Sequence, residues 1–401
     1  MRNHKKKKTM KISDLPDDLE SEILARVPAK SLWKSQTTCK RWYALFRDES
    51  FVRKNQKLGK SVRESILLCN YGVYSIGEDL HGLYNTGVGR SIEFSGKLSS
   101  LKKDPKEDLK ISQIFDCDGL ILWSTEGNTR LVIWNPCTGQ TSQIKPRTRY
   151  RSEDIYALGY ANNSKSCHSY KILRCYYYLN EQSVKVAEFE MYDLSSGSWR
   201  VLYNFTHDYA IFCDGMSLKG NTYWVAGCKE TGLFLMKFDF TTEKFVRLSL
   251  PFQSFNPEDT VSLSVVKDEK LSVLHQNILE FSNVMRIWVT NKVDEADKDL
   301  SWRSDFELVV DYDKFELEGV VNVSSFLLDE ENKVAVCCDI DLDDEYRNGS
   351  SRIYIVGEDM YKQVYSVKCS RSSWPLLLTY VPSLIRIQKN KPTRKKKRRL
   401  V

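Results

Sequence analysis

The sequence predicts an α + β multidomain protein, in which a short helical domain at residues 12–55 precedes an all-β domain at residues 65–385. Apolar residues recur at helical spacing in the first segment. In the second, short runs of β-branched and aromatic residues are broken about every 8 to 12 residues by Gly, Asn, Asp and Ser. One aromatic pattern recurs there at a spacing of about 50 residues, which favours a β-propeller. The alternative is a β-sandwich in which this spacing is coincidental.

The first helix of this domain is predicted to begin at Pro16, because proline suits the first turn of a helix. Asp17 and Asp18 then place negative charge at the positive end of the helix dipole, and Pro28 ends the helix. The apolar side of this helix comprises Leu15, Leu19, Ile23, Leu24 and Val27. A second apolar set at helical spacing comprises Leu32, Cys39, Trp42 and Phe46. So small a domain cannot form a core of its own, and we interpret it as a docking domain.

These residues resemble an F-box in their order and spacing, over about 40 residues. The resemblance implies binding to a Skp-type adaptor and, through that adaptor, attachment to a cullin. The residues that it implies in adaptor binding are Leu15, Pro16, Leu19, Ile23, Leu24, Val27, Pro28, Leu32, Cys39 and Trp42. The alternative is a helical hairpin that packs on the rest of the chain.

The β domain contains a repeated unit, in which an apolar strand ends in an aromatic residue, often followed by Asn or Asp and a turn. The aromatic positions are Trp134, Tyr192, Phe238 and Trp288, which are 58, 46 and 50 residues apart. An Asx side chain can hydrogen-bond the backbone two residues on, and the preceding aromatic ring can pack between sheets. We therefore expect hairpins whose aromatic residues, together with Trp224, form the core of the blades.

The same segments resemble the type 1 F-box associated domain of plant F-box proteins, a kelch-like domain. The sequence segments on which the resemblance rests are Cys117–Trp123, Val132–Gly139, Ala157–Tyr160, Tyr170–Leu173 and Gly220–Trp224. Together with the F-box, they imply a substrate-recruiting subunit of a cullin-based, SCF-type ubiquitin ligase, with the β domain as the recruiting surface. The resemblance leaves the protein substrate unidentified. Alternatives are a protein that binds a small molecule or acts as a hydrolase, and a degenerate F-box protein that recruits nothing.

Charge is distributed unevenly along the 401 residues, whose net charge is +7. The tails at residues 1–11 and 389–401 carry 14 basic and no acidic residues, and the remainder has 46 basic and 53 acidic residues. Because phosphate binding depends on clustered Lys and Arg, this acidic body argues against a nucleic-acid partner. Both tails are predicted to be disordered. The basic run comprising Arg394, Lys395, Lys396, Lys397, Arg398 and Arg399 fits a nuclear import signal, so we expect the protein in the nucleus and cytoplasm.

Other features place limits on function. No run of 18 apolar residues is present, so no membrane partner is expected. The 11 cysteines are an odd number and no export signal is expected, so we expect reduced thiols. They include no CxxC pair and only five histidines accompany them, so we expect no metal, no cofactor and no enzymatic activity. The acidic run at 339–345 lacks the turn glycine and bidentate Glu of a calcium loop.

Long polar loops are the best candidates for recruiting a substrate, because loops present varied side chains without disturbing a sheet. Three are predicted, at residues 147–153, 162–168 and 339–348. The first carries Arg147, Arg149 and Arg151, which we expect to recruit an acidic partner. The alternative is that these loops are simple connectors.

Overall fold

The computed structural model describes residues 15–60, 62–76, 94–97, 109–162, 168–179, 181, 185–206, 209–228, 230–256, 258–277, 283–294, 299–317, 321–342, 348–370 and 375–387. Both basic tails, including the predicted import signal at 394–399, lie outside these residues. So do residues 163–167, most of the predicted recruiting loop at 162–168, and residues 343–347, half of the one at 339–348.

The helical domain consists of four short helices, which are α1 (Asp17–Leu24), α2 (Ala29–Ser35), α3 (Lys40–Leu45) and α4 (Glu49–Leu58). Pro16 and Pro28 directly precede α1 and α2, as expected of residues with a fixed backbone dihedral and no N–H to lose. Asp48 caps α4, because its Oδ1 accepts hydrogen bonds from the N–H groups of Ser50 and Phe51, each at 3.0 Å.

The rest of the described chain forms six antiparallel sheets, the blades of a β-propeller. Blade 1 contains β1 (Glu64–Cys69), β2 (Gly72–Ile76) and β3 (Phe94–Lys97). Blade 2 contains β4 (Ile111–Cys117), β5 (Leu120–Thr125), β6 (Leu131–Asn135) and β7 (Gln140–Ile144). Blade 3 contains β8 (Ile155–Asn162), β9 (His168–Leu179), β10 (Lys185–Asp193) and β11 (Ser198–Thr206). The prediction of a propeller is confirmed, and the β-sandwich alternative is wrong.

The second half of the propeller follows the same order. Blade 4 contains β12 (Ala210–Ile211), β13 (Met216–Leu218), β14 (Asn221–Cys228), β15 (Gly232–Asp239) and β16 (Lys244–Leu248). Blade 5 contains β17 (Thr260–Val266), β18 (Lys270–Gln276), β19 (Val284–Thr290) and β20 (Trp302–Asp311). Blade 6 contains β21 (Val323–Asp329), β22 (Val334–Leu342), β23 (Asn348–Gly357) and β24 (Met360–Ser370). Short 3₁₀ turns lie at Glu126–Asn128 and Tyr312–Phe315.

The ring is closed by the last strand of the chain, β25 (Leu376–Tyr380), which pairs antiparallel with β1 and becomes the innermost strand of blade 1. Each innermost strand contacts those of its two neighbours, in the order β25, β4, β8, β13, β17 and β21. This closure leaves no sheet edge at the seam and makes the fold depend on both ends of the β domain.

The two ends of the propeller differ. The turns that follow the innermost strands β4, β13 and β17 share one cavity with residues of α2 and α4, so these strands end near the helical domain. Because the strands of each blade alternate in direction, the loops that join one blade to the next lie at the opposite end. We call these the helical end and the distal end of the propeller.

The predicted aromatic and Asx pattern matches the structure. The four aromatic positions lie in β6, β10, β15 and β19, which are the third strands of four successive blades. The Asx residues Asn135, Asp193 and Asp239 follow three of them and accept hydrogen bonds from backbone N–H groups two or three residues on. Trp134 and Tyr192 are buried, as is Trp224 on β14. Trp288 is half-buried and packs against the core of blades 4 and 5.

Candidate protein-interaction surfaces

The outer side of α1 exposes apolar side chains to solvent. Leu19 is 53% exposed and Ile23 is 45% exposed, and Pro16 before them is also exposed. Their spacing of three and four residues places these three on one side of the helix. Since monomeric proteins rarely leave large apolar side chains in such a row, this surface has the character of a docking site. We call Pro16, Leu19 and Ile23 the outer surface of α1.

The inner side of α1 is fixed by buried polar contacts. Glu20 is only 1% exposed; its Oε1 accepts a hydrogen bond from Trp42 Nε1 at 2.8 Å, and its other oxygen forms an ion pair with Arg41. At the end of the helix, Asn55 Nδ2 donates to the carbonyl oxygens of Ala25 and Val27 at 2.9 and 2.8 Å. These bonds orient α1 so that its outer surface points away from α3 and α4.

The residues predicted to bind the adaptor separate into two groups. Leu24 and Leu32 are buried, and Val27 and Trp42 pack in the same apolar cluster, so none of these four presents a free surface. Cys39 is exposed, but its Sγ accepts a hydrogen bond from Trp42 N at 3.4 Å at the start of α3. Leu15 and Pro28 are half-buried. The outer surface of α1 is therefore the most accessible part of the predicted set, and the buried residues support it.

The helical domain is also packed on the propeller. Leu24, Phe46 and Phe51 share one apolar cluster with residues of blades 2 and 3, and with Leu384 and Ile385 after β25. Lys30 Nζ lies 2.5 Å from Glu64 Oε1 at the start of β1. The domain thus packs on the rest of the chain with one side, while α1 keeps its other side exposed.

The loop that carries Arg147, Arg149 and Arg151 joins β7 to β8 and therefore lies at the distal end. Arg147 Nε donates to Glu190 Oε1 at 2.6 Å and its Nη2 to Glu188 Oε1 at 3.1 Å. The hydrogen bond to Glu190 raises the pKa of the Arg147 guanidinium, so this cation is held in an ion pair with that carboxylate. Arg147 is a structural residue as much as a surface charge.

Beneath this loop, Arg174 is completely buried between two carboxylates. Its Nη2 lies 2.7 Å from Asp154 Oδ2 and its Nη1 lies 3.0 Å from Glu190 Oε2. Arg174 also donates to the carbonyl oxygen of Arg149 at 2.8 Å, which fixes the loop backbone. The side chains of Arg149 and Arg151 remain exposed, and the Arg151 guanidinium lies 4.2 Å from the Tyr176 ring centre.

The second predicted loop, at 162–168, joins β8 to β9, so it lies at the helical end and cannot share a surface with the other two.

An aromatic cluster at the distal end was missed by the sequence analysis. Phe255, between β16 and β17, is 63% exposed, and in the same connection Phe252 stacks on His275 at 4.2 Å between ring centres. Burial raises the pKa of the neighbouring Asp259, but hydrogen bonds from Ser254, His275 and Asn256 outweigh it and hold that pKa below its ordinary value.

No group of three or more His, Cys, Asp or Glu residues in the described part of the chain is arranged to hold a metal ion. No helix of that part is long and apolar enough to cross a membrane.

Comparison with known proteins gives matches to both parts of the chain. A family model described as the F-box domain matches residues 12–54, and one described as the F-box associated beta propeller domain matches residues 64–387. A putative F-box/kelch-repeat protein of Arabidopsis thaliana is 62% identical, over 98% of this chain and 99% of its own length. A second F-box/kelch-repeat protein of that plant is 58% identical, over 96% and 98% respectively. The chain therefore belongs to the family of F-box proteins with an F-box associated β-propeller domain.

Proposed function

We propose that this protein is the substrate-recognition subunit of an SCF-type ubiquitin ligase. In this role the F-box docks a Skp-type adaptor, which links the chain to a cullin, and the propeller recruits a protein for ubiquitination. The protein itself is a non-catalytic adaptor. The observation that carries the proposal is the exposed outer surface of α1, on a domain whose opposite side is packed on the propeller.

The first test is co-purification of the full chain with a Skp-type adaptor and cullin. Leu15→Ala with Pro16→Ala should strongly reduce recovery of the adaptor, because these residues begin the surface that docks it. Truncating an anchor at an interface costs about 2 kcal/mol or more, which is roughly 30-fold in affinity. Equal recovery with the wild-type chain and a correctly folded double variant would contradict the proposal.

For substrate recruitment we propose the distal end, where Arg149 and Arg151 offer exposed positive charge and Phe255 an exposed aromatic ring. Exposed cations steer acidic partners, and aromatic residues are common anchors of interfaces. Arg147 is left unchanged in the test because it holds Glu190 and Glu188.

Proximity labelling with and without proteasome inhibition tests this surface. Arg149→Glu with Arg151→Glu should remove at least one partner whose labelling rises on inhibition. Lys244→Glu with Lys362→Glu, near the start of the outermost strands β16 and β24 and away from the distal end, is the charge-matched control. If both variants recruit the same partners as the wild type, these arginines are not the recruiting residues. Adaptor binding without any inhibitor-dependent partner would instead support a degenerate copy.

We further propose nuclear import through residues 394–399. The support is their density of positive charge in a tail that carries no acidic residue. Replacing these six residues by Gln should lower the nuclear fraction of a fluorescent fusion, and the same replacement of Lys5, Lys6, Lys7 and Lys8 serves as the control. An unchanged distribution would refute the assignment.

A further inference from the structure

A cavity of about 510 Å³ lies where the central channel of the propeller meets the helical domain. Its walls are the turns after β4, β13 and β17, the segment after β25, and the linker that follows α4. Cavities of this size commonly hold small ligands or an inserted side chain. These five walls come from distant parts of the sequence, so the space exists only in the closed propeller.

Most cations at this cavity are already paired. Arg63 Nη2 lies 2.6 Å from Asp268 Oδ2. Lys219 Nζ donates to the carbonyl oxygen of Val293, and Lys267 forms an ion pair with Glu331. These three positive charges of the wall are therefore already bound by groups of the protein. The exception is the exposed Lys60, whose side chain has no hydrogen bond or ion pair within the described part of the chain.

One acid of the wall lacks such a partner. Asp116, near the end of the innermost strand β4, lines the cavity and remains partly exposed. Burial raises the pKa of its carboxyl well above the ordinary value, and the negative charges of Asp118 and Asp268 raise it further, while the N–H of Gly119 opposes this. By contrast, Asp118 accepts a hydrogen bond from the Tyr170 hydroxyl at 3.2 Å and lies 3.4 Å from His168 Nδ1.

Other polar groups of the wall also have unmet hydrogen-bonding capacity. Ser383 is only 6% exposed, and its Oγ has no hydrogen-bonding partner among the residues described. The same holds for Asp116 Oδ1 and Arg63 Nε. Buried acceptors without a hydrogen-bonding partner are unfavourable, so Asp116 Oδ1 and Ser383 Oγ beside one cavity indicate a ligand that donates to them, whereas Arg63 Nε is itself a donor and would need a separate acceptor.

We infer that this cavity binds a primary ammonium or guanidinium group, which pairs with Asp116 and donates a further hydrogen bond to Ser383. Such a group supplies both the positive charge that Asp116 lacks and the N–H donors that the wall can accept. It could belong to a free diamine or to a Lys or Arg side chain of a bound protein. The site is separate from the outer surface of α1, so the inference does not depend on adaptor docking.

Calorimetric titration of the full-length protein tests this inference with two probes. Agmatine represents the free amine, and a capped pentapeptide with one Arg between glycines represents the side chain. We expect at least one of them to bind at or below millimolar concentration. Binding of agmatine alone assigns a small-molecule source, and binding of the peptide alone assigns a protein source.

Two matched variants complete the test. Asp116→Asn keeps the shape of the side chain but cannot become charged, so it should weaken binding at least about tenfold. Asp359→Asn alters a carboxylate on the outer surface and should leave affinity unchanged. The inference is overturned if neither probe binds at millimolar concentration, if Asp116→Asn binds as tightly as the wild type, or if inorganic phosphate binds in their place.

Discussion

At the scale of single residues, buried charge distinguishes structural side chains from those available to a partner. Arg174 and Arg151 lie near each other, and each contacts the Tyr176 ring, yet only Arg174 is enclosed by two buried carboxylates. A charge in that position cannot be removed without leaving its partners unpaired in a medium of low polarity. Arg151, at the solvent boundary, has water as an alternative partner.

This contrast yields a stability prediction. Arg174→Met should lower the free energy of unfolding by about 3 to 5 kcal/mol, because it leaves Asp154 buried without its cation and Glu190 with Arg147 alone. Arg151→Met should change it by less than about 0.5 kcal/mol, as is usual for an exposed position. Urea denaturation of the two variants measures both values. Similar losses would show that the buried network does not hold the loop.

Replacing Asp116, in contrast to replacing Arg174, is predicted to increase the stability of the protein at neutral pH. Its pKa is raised in the folded protein, so it binds a proton more tightly there than in the unfolded chain, and its contribution to stability is lost as pH rises. The nearest titratable groups are Asp118, Asp268 and Tyr380. Asp116→Asn should match the wild type below about pH 4 and be the more stable of the two at neutral pH. A variant that melts lower at neutral pH would contradict this reasoning.

At the scale of elements, the turn after the third strand of blade 2 is closed by Asn135, which also binds the segment after β25. Asn135 Oδ1 accepts from Thr138 N at 3.1 Å, and its Nδ2 donates to the carbonyl oxygens of Ser383 and Ile385 at 3.0 and 2.7 Å. Among the residues described, the side chain of the equivalent Asp239 of blade 4 bonds only within its own turn, to the N–H groups of Thr241 and Thr242. The same local motif therefore also ties the end of the chain to blade 2.

Alanine substitution should separate these two roles. Asp239→Ala should cost about 1 kcal/mol, the usual value of a turn hydrogen bond. Asn135→Ala should cost about 2 to 4 kcal/mol, because it also leaves two carbonyl groups without their donor. Thermal denaturation of both variants provides the comparison. Equal losses would mean that the contact of Asn135 with the end of the chain adds nothing.

The elements that sequence could predict are those with a local signature. Trp134, Tyr192 and Phe238 are each followed by an Asx turn, and the spacing of the three indicated successive blades. The third strands of blades 1 and 6, β2 and β23, were missed because no aromatic–Asx pair ends them: β2 ends in Ser75 and Ile76, and β23 in Val356 and Gly357. Glu20 and Asn55 were missed too, because their burial depends on contacts with other helices.

At the scale of the whole molecule, features assembled from distant segments were beyond sequence reasoning. The cavity brings together Arg63, Asp116, Lys219 and Ser383, whose positions span most of the chain. The packing of the F-box against Leu384 and Ile385 likewise joins the two ends of the described chain. The propeller is thus a closed ring that the F-box contacts at the seam, so closure supports the docking domain as well as the blades.

This closure predicts different effects for two truncations. Ending the chain at residue 375 removes β25 and leaves β1 without its inner partner, so cooperative thermal unfolding should be lost. Ending it at residue 390 removes only basic tail sequence and should leave the melting temperature unchanged. If the shorter chain melts cooperatively at the same temperature, β25 does not close the ring.

We expect the outer surface of α1 to dock the adaptor, while the inner side of α1 packs within the protein and stabilises the fold. The most direct test is the affinity of a purified Skp-type adaptor for Leu19→Ala with Ile23→Ala, measured by calorimetry. Val201→Ala with Val246→Ala removes comparable exposed side chains from the outermost strands β11 and β16 and is the control. We predict that adaptor affinity falls at least about 30-fold for the first pair and is unchanged for the second, with both proteins melting at the wild-type temperature. Equal affinity of the two folded variants would contradict it.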